Sequence, residues 1–441
     1  MQAYDVIIIG SGPSGLIWAH EAINSNLKVL MIDQQNLVAE EYSSIGEPWQ
    51  QVGNIVLGGV GGTANAWQGQ SLLLDEIQFE KIFDGAIWWN FNKYIEISDE
   101  IANILKIRLD IRTDKVINQI KSKLSLSKNI NIKFSFMPLE LSWKKIFKSV
   151  VTSKNITFEN RRLESLVSSH EIVTALNFAD GSTLEVNNQV TIVLAANAIN
   201  NARILKQSEK NEWTQFPNIG HQIYDHPWRT KLQFQTRKNS FAKLPQFKYV
   251  CGLNFRMRLK TKFEVLDGSE AIGVFEIRPI YLGSVFYKSI TRLSLLLFRR
   301  SVLFPKKIEV WCQIAQVVQN EDEFSIEKEV RSSTQNVLSN EDFFRLLEVE
   351  NTARIMLINS GFNEIVNKDS VSVSQAFHPS GTILLGNNPD LHSFNFEGKS
   401  NRYGNLYLAG SAGLKNCSWI NPTLTILIIS LGNARLALSK L

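Results

Sequence analysis

Tyr4-Asp5-Val6-Ile7-Ile8-Ile9-Gly10-Ser11-Gly12-Pro13-Ser14-Gly15 is the stretch that decides the fold. Val6 to Ile9 is a short run of β-branched residues, the pattern of a strand buried on both faces. Gly10 permits a tight turn, Gly12 lets the backbone approach a pyrophosphate, and Gly15 lets the next helix pack on the strand. That helix, predicted over roughly 14–24, would point its free amides and positive dipole end at phosphates. A second apolar run, Val29-Leu30-Met31-Ile32, ends in Asp33, an acid placed to bind ribose hydroxyls. Strand, glycines, helix, strand and acid in this order predict an α/β dinucleotide-binding domain of Rossmann type. They do not separate FAD from NAD, because both carry an ADP moiety.

The other end of the chain carries groups suited to acid–base work. In His378-Pro379-Ser380-Gly381-Thr382, the histidine has an ordinary pKa near neutrality and suits removal of a hydroxyl proton. In Asn421-Pro422-Thr423-Leu424-Thr425, the amide of Asn421 can donate to a substrate oxygen while staying neutral. Each has a plainer reading. His378 could be a satisfied histidine at a strand end, and Asn421 before Pro422 suits a helix N-cap. A helix beginning at Asn421, Pro422 and Thr423 would also aim its dipole at whatever lies before it.

Further stretches resemble the glucose–methanol–choline (GMC) oxidoreductases. Gly58-Gly59-Val60-Gly61-Gly62-Thr63-Ala64-Asn65-Ala66-Trp67 is similar to that family's second glycine-rich segment, which lies along the flavin. Ile87-Trp88-Trp89 with a helix-like 92–105 resembles its tryptophan-marked segment. Leu194-Ala195-Ala196-Asn197-Ala198-Ile199 and Arg203-Ile204-Leu205 resemble its small-residue turn and the Arg-Leu-Leu that follows. The elements Ile219-Gly220-His221-Gln222-Ile223-Tyr224-Asp225-His226 and Asn405-Leu406-Tyr407-Leu408-Ala409-Gly410-Ser411 also match, and the matches keep family order from residue 4 to residue 438.

The resemblance implies a Rossmann-like FAD-binding domain and a second, α+β substrate domain built on an antiparallel sheet that covers the flavin. It implies oxidation of an alcohol or sugar CH–OH group by hydride transfer to flavin N5, with His378 as base and Asn421 as its partner. FAD would be held by Gly10, Gly12, Pro13, Ser14, Gly15, Asp33, Gly61, Gly62, Thr63, Asn65, Trp67, Ala196, Asn197, Gly410, Ser411, Pro422 and Thr423. His226 would order a turn near the flavin. Ala66 stands where some pyranose-oxidising relatives attach flavin to a histidine, so the FAD is expected to be non-covalent. Asn197 replaces a usual glycine, and Ile383-Leu384-Leu385 replaces a common Arg-Met. Oxygen and another electron acceptor both remain open. A redox-neutral isomerase or photodecarboxylase, or a non-catalytic flavin-binding or assembly protein, could use the same fold.

The flavin motifs lie at both ends and in the middle of the 441 residues, so the domain must be discontinuous. Segments 1–75, 155–225 and 372–441 are assigned to it, with 155–225 read as a small sheet returning to it. Segments 76–154 and 226–371 are assigned to the substrate domain, with a helix over 340–360 whose apolar face is Phe343, Leu346, Leu347 and Val349.

With 47 basic and 42 acidic residues, the net charge of +5 is too mild to argue for nucleic acid. Cys251, Cys312 and Cys417 read as free thiols of a reducing compartment, and the six histidines show no metal-ligand spacing with them. The dinucleotide strand begins at residue 4, leaving no room for a signal peptide, and no apolar run spans a bilayer, so a soluble cytoplasmic protein is expected. Two basic features stand out. In Arg256-Met257-Arg258-Leu259-Lys260-Thr261-Lys262 a strand would place all four cations on one face, and in 288–307 a leucine-rich run is flanked by arginines and lysines. Their plain reading is a solvated strand edge and a surface helix. The sharper readings are an anionic or lipid-linked substrate, peripheral membrane contact, or an oligomer contact.

Overall fold

The computed structural model describes residues 4–34, 58–67, 69–109, 114–122, 124–138, 140–209, 216–220, 224, 226, 228–236, 248–251, 256–268, 270–280, 307–315, 324–326, 332–334, 339–365, 373–374, 378–415, 419–439 and 441. Of the basic segment 288–307, only Lys307 lies within the described residues.

β1 (Val6–Ile9) is the middle strand of a five-stranded parallel sheet ordered β18-β8-β1-β2-β4. Its partners are β2 (Val29–Asp33), β4 (Ile156–Asn160), β8 (Thr191–Leu194) and β18 (Leu406–Leu408). Strand alternation sends Val6, Ile8, Val29 and Met31 to one face, and Ile7, Ile9, Leu30 and Ile32 to the other. The first face packs on α1 (Pro13–Asn24) and α9 (Thr423–Leu438), the second on α7 (Ala198–Ser208) and a three-stranded antiparallel sheet. That small sheet is β5 (Leu163–Ser169), β6 (Ile172–Phe178) and β7 (Thr183–Glu185), with the expected turn at Asp180-Gly181. The small sheet expected over 155–225 is therefore smaller than its segment. Ile156–Phe158 and the strand ending at Leu194 belong to the parallel sheet instead, because both pair in register with its strands.

The second sheet is antiparallel. It runs β10 (Lys248–Cys251), β11 (Arg256–Asp267), β12 (Glu270–Ile280), β13 (Lys307–Ile314), β9 (Trp228–Gln235) and β16 (Asn363–Ile365). β3 (Ile130–Pro138) pairs with β11, and β17 (Val373–Ser374) with β9. A separate hairpin joins β14 (Phe324–Ile326) to β15 (Ser332–Thr334). The large sheet has two unlike faces. Phe263, Val265, Phe275, Ile308, Val310, Cys312 and Ile314 form a dry face under α8 (Asn340–Asn359). The opposite face carries Lys260, Lys262, Glu276 and Trp311. On α8 the buried stripe is Leu346, Val349, Ala353, Met356 and Leu357, while Phe343 is 42% exposed. The face read from sequence is thus corrected: a capping box between Ser339 and Asp342 starts the helix and turns Asp342, not Phe343, inward.

Residues 76–154 are shared between the layers. They form α2 (Glu76–Phe83), α3 (Phe91–Leu105), α4 (Asp114–Lys121), β3, α5 (Trp143–Ile146) and α6 (Lys148–Val151). β3 joins the antiparallel sheet, but α3 packs on α9. There Trp89 Nε1 donates to Asn433 Oδ1 at 2.9 Å, and Gly432 leaves room for the indole, which a Cβ would meet at 2.5 Å. Among the described residues no helix is long and apolar enough to cross a membrane.

The seam between β1 and α1 tolerates no side chain. A Cβ on Gly15 would sit 2.0 Å from the Gly10 carbonyl oxygen. Gly15→Ala is expected to destabilise the chain by at least about 3 kcal/mol, read as a lowered midpoint in urea unfolding. An unchanged midpoint would contradict this packing.

Candidate active site

A cavity of about 450 Å³ opens at the carboxyl ends of the parallel strands, between the starts of α1 and α9 and beneath the charged face of the antiparallel sheet. This is the place where ligands bind in open α/β sheets. Gly10, Gly12, Pro13, Ser14, Asp33, Gly62, Thr63, Trp67, Ala196, Asn197, Gly410, Ser411, Pro422 and Thr423 all line it, as do His378 and Asn421. Gly15, Gly61 and Asn65 do not. Gly15 lies behind the loop in the strand–helix seam. Gly61 donates its N–H to the Ser11 carbonyl at 2.8 Å, and Asn65 turns its amide to Val60 O at 3.1 Å on the exposed side.

At the first end of the cavity, backbone geometry makes the wall. Gly10 adopts φ +104°, and a Cβ there would lie 2.4 Å from Ala195 O. A Cβ on Gly12 would meet nothing within 4 Å, so its absence leaves open space in front of the α1 amides. Asp33 joins the two glycine-rich segments: Oδ2 accepts from Ser11 N and Oγ at 2.5 and 2.6 Å, and Oδ1 accepts from Gly59 N at 2.9 Å. Asn197 holds φ +74°, which explains why a glycine is usual at this position. Its side chain offsets the strain by capping α7, accepting from Ile199 N and Asn200 N, both at 3.0 Å. Arg161, Arg162 and Arg203 also face this end. Arg203 stood in the Arg203-Ile204-Leu205 motif without an assigned role, and Arg161 and Arg162 carried no sequence pattern.

At the other end, the loop of His378 is fixed by its backbone. Ser380 and Tyr224 exchange N–H···O bonds at 3.0 Å, Gly381 N donates to Ser411 O at 3.1 Å, and Ile383 N donates to Ala412 O at 3.0 Å. Thr382 Oγ1 donates to Ala198 O at 2.8 Å. Gly381 takes φ +73° against the Tyr224 ring, which a Cβ would meet at 2.2 Å. His226 is buried beside His378, with ring centroids 6.0 Å apart. Burial, reinforced by the charge of Lys262, pushes the His378 imidazole down from its ordinary value to about 4. It is therefore neutral at physiological pH, the state that can accept a proton. Asn421 is not the N-cap: Pro422 holds that position without a side-chain bond. The helix begins one residue later than the cap reading required, and Asn421 faces the cavity instead.

Several lining residues were not legible in the sequence. Gln70 is 5% exposed and lines the cavity, and neither its Oε1 nor Trp67 Nε1 has a hydrogen-bond partner among the described residues. From the sheet come Lys262, Val274, Glu276, Arg278, Trp311 and Gln313. The plain reading of the Arg256–Lys262 stretch as a solvated strand edge is corrected for Lys260 and Lys262. β11 is an interior strand, and these two side chains are 8% and 2% exposed.

No family model matches the sequence, and no curated protein does. Solved structures do. The chain is similar to a pyridoxine 4-oxidase of Mesorbium loti at 15% identity, covering 98% of this chain and 99% of that one, with a TM-score of 0.66. It is similar to a formate oxidase of Aspergillus oryzae at 11% identity, covering 99% and 98%, with a TM-score of 0.68. The chain has the fold of these oxidases.

Asn197→Ala loses both cap bonds and keeps the positive φ, so it should cost about 2 kcal/mol or more, whereas Asn197→Gly should cost under about 1. Urea unfolding of the two variants decides; alanine milder than glycine would refute the cap.

Proposed function

We propose that the chain is a GMC-family, FAD-dependent oxidoreductase that oxidises the CH–OH group of an alcohol or sugar. The observation that carries this reading is the shared cavity. His378 and Asn421 line the same space as the glycine-rich turn before α1, with room for a ligand to run between them. The fold is that of the two oxidases, and the formate oxidase is one whose FAD undergoes modification.

The residues present fit FAD. Gly12 leaves open wall before the α1 amides, and the α1 N-terminus with Ser14 would receive the pyrophosphate. Trp67 Nε1 and Gln70 Oε1, a buried donor and a buried acceptor left unpaired, suit the hetero-atoms of a ring system. Ala66 offers no nucleophile for a covalent bond. Bound there, FAD would supply a two-electron acceptor for the hydride of the carbinol carbon.

The chain's own groups handle the proton. His378, held neutral by burial and by Lys262, takes the proton of the substrate hydroxyl. Asn421, free of any capping bond, donates an amide N–H to the same oxygen and orients it. The start of α9, at Pro422 and Thr423, presents positive dipole to the cavity and favours negative charge there. The loop bonds to Tyr224, Ser411 and Ala412 hold the base in place without cost at the moment of reaction.

His378→Ala should slow flavin reduction by a substrate alcohol at least about 1,000-fold while leaving bound flavin in place. For the unaltered enzyme the acid limb of kcat/KM should fall near pH 4, since the base is active above its depressed pKa. Anaerobic stopped-flow bleaching across pH checks both. Unchanged reduction in the variant would remove His378 from the mechanism, and a net change in substrate redox state excludes isomerisation.

A further inference from the structure

The roof of the cavity carries charge that alcohol oxidation alone does not require. Phe263 pairs with Phe275 and Glu264 with Val274 across β11 and β12, which sets Lys262 beside Glu276, and Glu276 pairs with Trp311 on β13. Three cations meet this one carboxylate. Lys260 Nζ lies 2.5 Å from Glu276 Oε2, and Lys262 Nζ lies 3.8 Å from the same oxygen. Arg278 Nε donates to Oε1 at 2.5 Å, and its guanidinium lies over the Trp311 ring at 3.3 Å.

With Glu309, the cross-strand partner of Arg278 and the acceptor of Trp311 Nε1 at 2.6 Å, counted in, the group holds a formal surplus of one positive charge. Lys260, Lys262 and Glu276 are 8%, 2% and 5% exposed. Surplus charge in so dry a place is destabilising unless something balances it. The strain is legible on each group. Burial pushes Lys260 down to about 7 and lowers Lys262, while the cations hold Glu276 at about 2 against burial's upward push. The carboxylate is also taken. Arg278 donates to Oε1, Lys260 lies against Oε2 as an ion pair, and Lys262 stands off. Among the described residues the Lys262 ammonium has no hydrogen bond, although it carries three donors and lines the cavity with Arg278, Gln313 and His378.

Resting on the reading of this cavity as the substrate site, we propose that the substrate is an anion, a carbinol bearing a carboxylate or phosphate group held by Lys262 and Arg278. The anionic group supplies the acceptors that Lys262 lacks and balances the surplus charge. Its CH–OH group then faces His378 and Asn421.

The test uses ligand pairs matched in size and hydroxyl but not in charge: hydroxy acids with their amides, and sugar phosphates with the free sugars. Calorimetric titration of the flavin-loaded protein measures binding, and anaerobic bleaching is recorded on the same samples. The anionic member of at least one pair should bind about 100-fold tighter than its partner. Lys262→Met should cut that preference below about tenfold, and Lys262→Arg should keep it. Which pair responds tells carboxylate from phosphate. No charge preference in any pair, or a preference that survives in a folded Lys262→Met protein, overturns the proposal. Bleaching by neutral members without charge preference would leave alcohol oxidation standing and remove the anion site. Lys262-dependent anion binding without bleaching would keep the site and remove the oxidation reading.

Discussion

The architecture depends on how backbone bonds hold the loop of residues 378–383. Its N–H and C=O groups are given to Tyr224 and to Ser411 and Ala412, and its threonine hydroxyl to Ala198. These partners come from three separate stretches of chain. Buried backbone groups must be paired, so the loop can close only when all three are in place. The loop that carries His378, near the end of the chain, is therefore fixed in part by residues from the middle of the sequence. Gly381 is the point where the constraint is tightest, with positive φ and a Tyr224 ring where a side chain would be.

The second constraint is electrostatic. The antiparallel sheet hides apolar residues under α8 and turns a charged face to the cavity, so one sheet closes a core and roofs a site. A cluster of three cations on one carboxylate adds little to stability when desolvated. Its position beside His378 gives it another use. Lys262 adds to the burial that keeps the His378 imidazole neutral.

Local rules made the nucleotide half legible. Gly10, Gly15 and Asp33 are required by dihedral angle, close approach and hydrogen bonding around one strand–turn–helix–strand unit, and a sequence records such a unit directly. What was not legible depends on the third dimension. Ile156-Thr157-Phe158 reads as a strand but does not say which sheet it joins. The alternation of Lys260 and Lys262 reads the same whether the polar face meets water or a closed cavity. Asn197 was visible as a departure from glycine, yet the cap that tolerates it appears only once α7 is placed. Gln70 carried no signal, because a lone glutamine after a tryptophan-marked turn has no pattern.

The central claim is that the cavity between the glycine-rich turn and the His378 loop holds one exchangeable FAD. Its most direct test is to strip the purified protein of flavin by acid precipitation, refold it, and titrate FAD back while following flavin fluorescence. The expected result is a colourless pellet, released FAD, and saturable quenching at one FAD per chain that Gly12→Leu abolishes. Yellow colour retained in the pellet would contradict the exchangeable flavin. Absence of flavin together with absence of saturable quenching would contradict the site itself.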